Sequence, residues 1–311
     1  MSRALALHLA VIAALFAAQF LVPPYHHTNL ARIMVLSVFA MGYNIAFGYT
    51  GLLSLGHALF FGAGLYATGL GIEQFGLTTA VALLAGLLAG GIVAAASGVL
   101  ALRTGGVSFM IVTLMFAQAG YLTILYFGAY TRGDEGFVIA RAARAIGPVD
   151  FSADTPRYLA ALALFSVALL VNFALVRSAT GRSMIAMREN EDRSLMLGYN
   201  PFRVKLLALV ISGLYAGAAG AAYGVLFGYV GASFAGIQYS ILPLLYVLMG
   251  GAGTVLGPFL GALLMFYLID ISSGYTTAHL AVVGGALLVL VLFAPKGILG
   301  AIRERGARWL P

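Results

Sequence analysis

Apolar runs separated by short polar breaks occupy nearly the whole chain. The runs at 4–22, 30–47, 52–71, 78–102, 107–128, 157–176, 206–230, 239–252, 257–273 and 279–295 are candidate spans. Crossing a hydrocarbon layer takes roughly 20 apolar residues at about 1.5 Å rise each. Helices satisfy their own backbone polar groups in lipid, so the pattern predicts an all-α, polytopic helix bundle of about 8–10 transmembrane helices. It forms one transmembrane domain over 1–311. The stretch 239–273 is read equally as two full spans or as broken, re-entrant helices. Pro243, Pro258 and the glycines at 250, 251, 253, 257 and 261 interrupt helical continuity there. The first run is longer than a signal-peptide core of about 7–15 residues and has no small-x-small pattern before Pro23-Pro24, so it is expected to stay as a membrane helix.

One polar stretch differs from the other breaks. Arg177 to Lys205 reads RSATGRSMIAMRENEDRSLMLGYNPFRVK and carries nine charged residues. Each unpaired charge at a bilayer centre costs about 2.5–3.5 kcal/mol on insertion scales, so this island lies outside the hydrocarbon. Met184, Met187, Glu191, Leu195 and Gly198 fall at spacings of three and four, which predicts one amphipathic helix over 183–198 capped by Gly198. Pro201 blocks its simple continuation. Methionines mixed with charges suit a surface gripped by a partner protein. The competing reading is a helix lying on the membrane surface.

Composition narrows the class. The chain is 62% hydrophobic and only 9% charged, against about 25% charged in soluble domains. The absence of cysteine removes disulfides, thiol catalysis and thiolate-bound metal. The net charge of +7 sits beside the spans rather than on a nucleic-acid-binding face. With the N-terminus cytoplasmic, twelve of the seventeen Lys and Arg residues fall on the inner side, among them Arg3, Arg103, the island's six, and Lys296, Arg303, Arg305 and Arg308. The outer loop 129–156 mixes Arg132, Arg141 and Arg144 with Asp134, Glu135, Asp150 and Asp154. Both termini are therefore expected in the cytoplasm.

Enzyme signatures fail. HExxH, GxSxG and the phosphate-cradling GxxxxGK[ST] do not occur, and the two lysines, Lys205 and Lys296, end no glycine loop. His26-His27 is a weak metal pair at most, and no metal site is expected. Polar side chains inside apolar runs are the other candidates, because lipid penalises them and they tend to face the bundle interior or a water-filled path. These are Tyr43, Asn44, Ser54, His57, Thr113, Gln118, Asn172 and Asp270. For the hydroxyls the simpler reading is a bond to a neighbouring helix. The glycine-rich stretches 48–64 and 250–264 are a second pointer, since paired glycine-interrupted segments mark sites near the bilayer midplane.

The segment GRSMIAMRENEDRSLMLGYNPFRVKLLALVISGLYAGAAGAAYG (181–224) resembles the inner-membrane permeases of branched-chain amino acid ABC importers, of the LivM type. GYTGLLSLGHALFFGAGLY (48–66), VSFMIVTLMFAQ (107–118), TRGDEGF (131–137), LMGGAGTVLGPFLGALL (248–264) and FAPKGILG (293–300) resemble further blocks of that family, in order along the chain. The resemblance implies an ABC importer permease fold in the bacterial inner membrane. It also implies a LivH-like permease paralogue as partner, two cytoplasmic ATPase subunits, a periplasmic binding protein at the 129–156 loop, and surrounding lipid. No cofactor is expected on this chain, because ATP and Mg would sit on the ATPases. Within the cytoplasmic loop 177–205, Met184, Met187, Arg188, Glu191, Asp192, Arg193, Leu195 and Gly198 would form the coupling helix that docks them. Tyr43, Asn44, Ser54, His57, Thr113, Gln118 and Asp270 would line the translocation path. Two departures stand out: Asp192, Arg193 and Ser194 occupy the place of the importer pattern's E-A-A, and Gln118 is neutral where relatives often carry a carboxylate. The implied cargo is leucine, isoleucine or valine, with urea, short amides, other small amino acids or carboxylates as the alternative. An ion-coupled secondary transporter is the rival class, for which Asp270 alone offers a buried coupling group.

Overall fold

The computed structural model describes residues 3–305; Arg308, placed above in the basic C-terminal tail, lies outside them. The chain runs α1 (Arg3–Leu21), α2 (Pro24–Asn44), α3 (His57–Glu73), α4 (Thr79–Ala101), α5 (Gly106–Tyr126) and the short α6 (Gly128–Thr131). Then follow α7 (Asp154–Arg177), α8 (Ala179–Glu189), α9 (Glu191–Met196), α10 (Pro201–Phe227), α11 (Ile237–Gly250), α12 (Gly257–Tyr275), α13 (His279–Phe293) and α14 (Gly297–Arg305). Among the described residues seven helices are long and apolar enough to cross a membrane: α1, α2 with its extension to Tyr49, α4, α5, α7, α10 and α12. The other three predicted crossings correspond to α3, α11 and α13, of 17, 14 and 15 residues.

Two of these are short for a visible reason. The run 52–71 was expected as one helix, but residues 51–54 carry no helix and α3 begins only at His57. Likewise 231–236 enters as an extended turn and a 3-10 turn (Ala232–Ala235) before α11. Gly51 (φ +80°) takes the left-handed backbone that permits the first break. Irregular backbone of this kind is tolerated at membrane depth where protein buries it. Ser240 Oγ on α11 accepts from the Ala58 N–H at 3.0 Å and so satisfies an orphan donor in the first turn of α3.

Packing inverts the soluble pattern. On α4, Val81, Leu84, Leu88 and Ile92 point outward, whereas Ala82, Gly86, Gly90 and Ala94 face inward. That stripe of small residues lets α4 meet α10 backbone to backbone: a Cβ on Gly90 would lie 2.5 Å from both Gly213 O and Gly217 Cα. α3 joins the same contact, since a Cβ on Gly64 would strike Gly217 O. α2 is the enclosed central post, packed by α7, α10, α11 and α12. The Tyr158 hydroxyl on α7 donates to Leu15 O at 2.6 Å and holds peripheral α1 to the bundle.

The two ends differ. At one, Lys205 pairs with Glu191, Lys296 with Glu304, and Arg303 approaches Gly253 O. At the other lies the 129–156 loop. Two small sheets form there that the helical reading did not include. Strand β1 (Phe137–Val138) pairs antiparallel with β4 (Tyr229–Val230), and β2 (Ala145–Ile146) pairs with β3 (Val149–Asp150). The first clamps the TRGDEGF segment to the end of α10, burying Ile139. Ser152 donates to the Asp150 carboxylate from both N–H and hydroxyl, which holds that carboxyl below its usual pKa. His26 bonds the Tyr267 hydroxyl at 3.0 Å and His27 packs on the Tyr158 ring, so the two histidines are engaged separately.

Candidate functional site

The charged island folds into a lobe of two helices rather than one. Asn190 adopts an extended backbone (φ −161°, ψ 107°) between α8 and α9, and its side-chain oxygen accepts from the Arg193 N–H at 2.9 Å. An Asn that caps the helix after it competes with continuation of the helix before it. Glu191 and Asp192 in the first turn of α9 suit the positive end of its dipole. The same device recurs on both sides. Ser178 caps α8 by accepting from Gly181 N, and Asn200 caps α10 by accepting from Arg203 N, with Pro201 at the first turn. Gly198 has φ +88°, the left-handed geometry that ends a helix.

The break redistributes the predicted docking residues. Met184 and Met187, at 1% and 3% exposure, are buried against the bundle, whereas Leu195, Met196 and Leu197 are 57%, 85% and 76% exposed. The single stripe joining Met184 and Met187 to Leu195 is therefore corrected, because the turn at Asn190 sends α9 off in another direction. Glu191 is held by the Lys205 ammonium at 2.6 Å, an exposed pair worth about 0–1 kcal/mol. Asp192 and Arg193 stand exposed beside the apolar tip. Arg188 is also exposed overall, but its guanidinium turns inward and donates to Gly48 O. The tip that projects is thus Leu195, Met196, Leu197 and Tyr199, rimmed by Asp192 and Arg193. Met196, Leu197 and Tyr199 are missing from the sequence-based set; the cue was the Asn-Glu-Asp helix start at 190–192.

Five of the seven predicted path residues come together as a buried polar seam. His57, at the start of α3, bonds Ser212 Oγ on α10 at 2.7 Å through Nε2 and Ser54 Oγ at 3.2 Å through Nδ1. The Tyr43 ring packs edge-on against the His57 ring, with centroids 4.6 Å apart. Thr113 Oγ1 on α5 accepts from the Leu55 N–H at 3.1 Å. Asn44 donates to Thr254 O and accepts from Gly253 N, both at 2.9 Å. Most of these groups answer backbone left unpaired by the broken helices, so the seam pins segments far apart in sequence. The loop that Asn44 holds also brings the two glycine-rich stretches into contact, since a Cβ on Gly48 would lie 2.6 Å from Gly253 N, beside the lobe's Arg188 bond to Gly48 O.

Gln118 and Asp270 are not part of the seam. Gln118 lies on the partly exposed face of α5. Asp270, near the far end of α12, accepts from the Tyr25 hydroxyl at 2.9 and 3.0 Å on an exposed surface. Asn172 is fully buried on α7. Two cavities open beside the lobe. One of about 550 Å³ is lined by Leu52, Phe109, Met187, Arg188 and Lys205, and one of about 780 Å³ by Phe47, Arg188, Thr254, Lys296 and Arg303.

The bundle, with its broken helices and projecting lobe, is that of a multi-pass, all-α membrane protein. The family model described as "Branched-chain amino acid transport system / permease component" matches residues 27–292, and the chain belongs to that family. It is 29% identical over 299 residues to the high-affinity branched-chain amino acid transport system permease protein LivM of Escherichia coli K12, covering 88% of this chain and 69% of that protein. LivM of Salmonella typhimurium LT2 gives the same identity and coverage over 300 residues. LivH of Salmonella typhimurium LT2 is 31% identical over 141 residues, 45% of this chain and 44% of that protein. No solved structure matches the chain.

Proposed function

We propose that this chain is the transmembrane permease subunit of an ATP-driven importer that carries branched-chain amino acids across the bacterial inner membrane. The observation that carries the reading is the α9 tip. Leu195, Met196, Leu197 and Tyr199 form an exposed apolar knob beyond the membrane helices, at the end where basic residues collect. An apolar cluster rimmed by charge marks a protein-docking surface, and the positive-inside bias puts this end in the cytoplasm. One of two ATPase subunits would receive the knob there. Nucleotide, bound differently in their open and closed states, would drive the lobe and reorient the bundle between outward and inward access. The 129–156 loop, clamped by β1 and β4, would meet a periplasmic binding protein, and a LivH-like chain would complete the membrane pair. Similarity to LivM and LivH supports branched-chain cargo.

Reconstitution tests it. The chain, co-expressed with a LivH-like permease and the ATPase subunits of its own genome, should co-purify with them in fixed stoichiometry. In proteoliposomes with the binding protein it should take up labelled leucine only with ATP. Uptake by this chain alone on an ion gradient would overturn the importer reading. ATP-driven uptake of urea that excess leucine leaves unchanged would overturn the cargo.

A further inference from the structure

Resting on that reading, we propose that Arg188 is a positioning residue, a strut that carries motion of the α8–α9 lobe to the membrane helices, and not an ATPase contact. α2 ends in a widened π turn over Ile45–Tyr49, and Arg188 donates to the carbonyl of Gly48 within it. Carbonyls in the last turn of a helix lack intrahelical partners and sit at the negative end of its dipole, so a guanidinium is matched to them in both respects. π turns are rare and recur at functional sites.

The strut touches two more segments. A Cβ on Gly51 would lie 3.3 Å from Arg188 Cγ, and a Cβ on Gly253 would lie 2.9 Å from its Nη1. Both glycines have left-handed backbones, φ +80° and +74°, so conformation and space restrict both positions. Gly253 belongs to the α11–α12 loop, which Asn44 bolts to α2 through Gly253 N and Thr254 O. Arg303 of α14 also reaches Gly253 O, at 3.4 Å. One side chain of the lobe therefore meets the end of α2, the start of the 51–56 break and the α11–α12 hairpin together. Arg188 lines both cavities beside the lobe, so open space on either side leaves it room to swing. A lysine would keep the charge but lose the planar fork.

Two measurements on Arg188→Ala test the strut separately from the importer reading. On the purified chain in detergent, hydrogen exchange should rise about tenfold at 45–50 and 251–256, as expected for loss of a charge-assisted bond, and stay unchanged at 137–139. In the reconstituted complex the variant should retain its ATPase subunits while leucine uptake per ATP falls about tenfold, with Arg188→Lys in between. Unchanged exchange at 251–256 would overturn the strut, as would loss of the ATPase subunits or an unaltered uptake-to-ATP ratio. If the unsubstituted chain binds no ATPase subunits, the importer reading fails, and the exchange result alone decides the strut. Gly253→Ala, which crowds the guanidinium while leaving every lobe residue unchanged, should reproduce the uncoupling; normal coupling in that variant counts against the strut.

Discussion

Asn44→Ala should destabilise the seam through two specific losses. The amide of Asn44 makes two bonds of 2.9 Å, accepting from the Gly253 N–H and donating to Thr254 O. Asn44 is 0% exposed and Thr254 3%, so water has little access to replace the bond to Thr254 O, while the half-buried Gly253 keeps the total near the lower bound. Hydrogen bonds between membrane helices average about 0.6 kcal/mol, because the unfolded reference finds other partners in the membrane. A buried backbone group stranded without a partner costs more, about 1–3 kcal/mol each. The second value applies here, since alanine leaves one donor and one acceptor stranded; at the low end of that range for each group the expected loss is about 2–3 kcal/mol. That corresponds to about a 30- to 150-fold rise in opening of the α11–α12 loop, at about 1.4 kcal/mol per tenfold. Steric trapping or SDS unfolding of the purified chain reads the first number, and hydrogen exchange at 251–256 reads the second. Asn44→Asp separates bonding from volume: it keeps the acceptor for Gly253 and removes the donor to Thr254. A loss under about 0.5 kcal/mol for alanine, or an aspartate variant as stable as the parent, would refute the reasoning that the seam is a pin.

Replacing Leu195 and Met196 together by serine should leave folding intact, because both are exposed, and should lower ATPase capture at least tenfold, since each buried aliphatic side chain is worth about 1.5–3 kcal/mol; pull-down titration measures it. Gly217→Ala should cost about 1–3 kcal/mol in unfolding assays, because its Cβ would lie 2.8 Å from Gly86 O, 2.9 Å from Gly90 Cα and 3.0 Å from Leu87 O, all backbone of α4. Gly274→Ala, with nothing within 4 Å, is the neutral control. Because Asp150's pKa is depressed in the folded loop, its stabilisation exists above the ordinary carboxylate range and is lost as pH falls through the lowered value. Proteolysis of the 129–156 loop should therefore be constant from about pH 7 to pH 5 and rise only below about pH 4.

Hydropathy made the crossings legible, because the bilayer imposes length and apolarity on every span. The island was equally plain, since charge cannot be hidden in lipid. Gly198 was readable from glycine's unique freedom at a helix end. What failed were breaks inside apolar sequence: His57 starts α3 five residues after the expected Leu52, with no change in hydropathy to mark it. Periodicity also misassigned Met184 and Met187, because it assumes that one axis runs through Asn190. Polarity singled out Asn44 and His57, but their bonds join segments more than 150 residues apart, at Thr254 and Ser212. A single sequence carries no record of such pairings. Arg188 was grouped with the outward charges for the same reason, since its acceptor, Gly48 O, belongs to the backbone of a distant helix.

The central claim is that the α9 tip lies in the cytoplasm under an ATPase subunit. The chain has no cysteine, so Met196→Cys gives a unique thiol at the most exposed apolar residue of the tip, with Ala142→Cys as the opposite-face control. A membrane-impermeant maleimide should label position 196 in inverted vesicles and not in right-side-out ones, and bound ATPase subunits should suppress that labelling. Labelling from the periplasmic face, or an equal rate with and without the ATPase subunits, would contradict it.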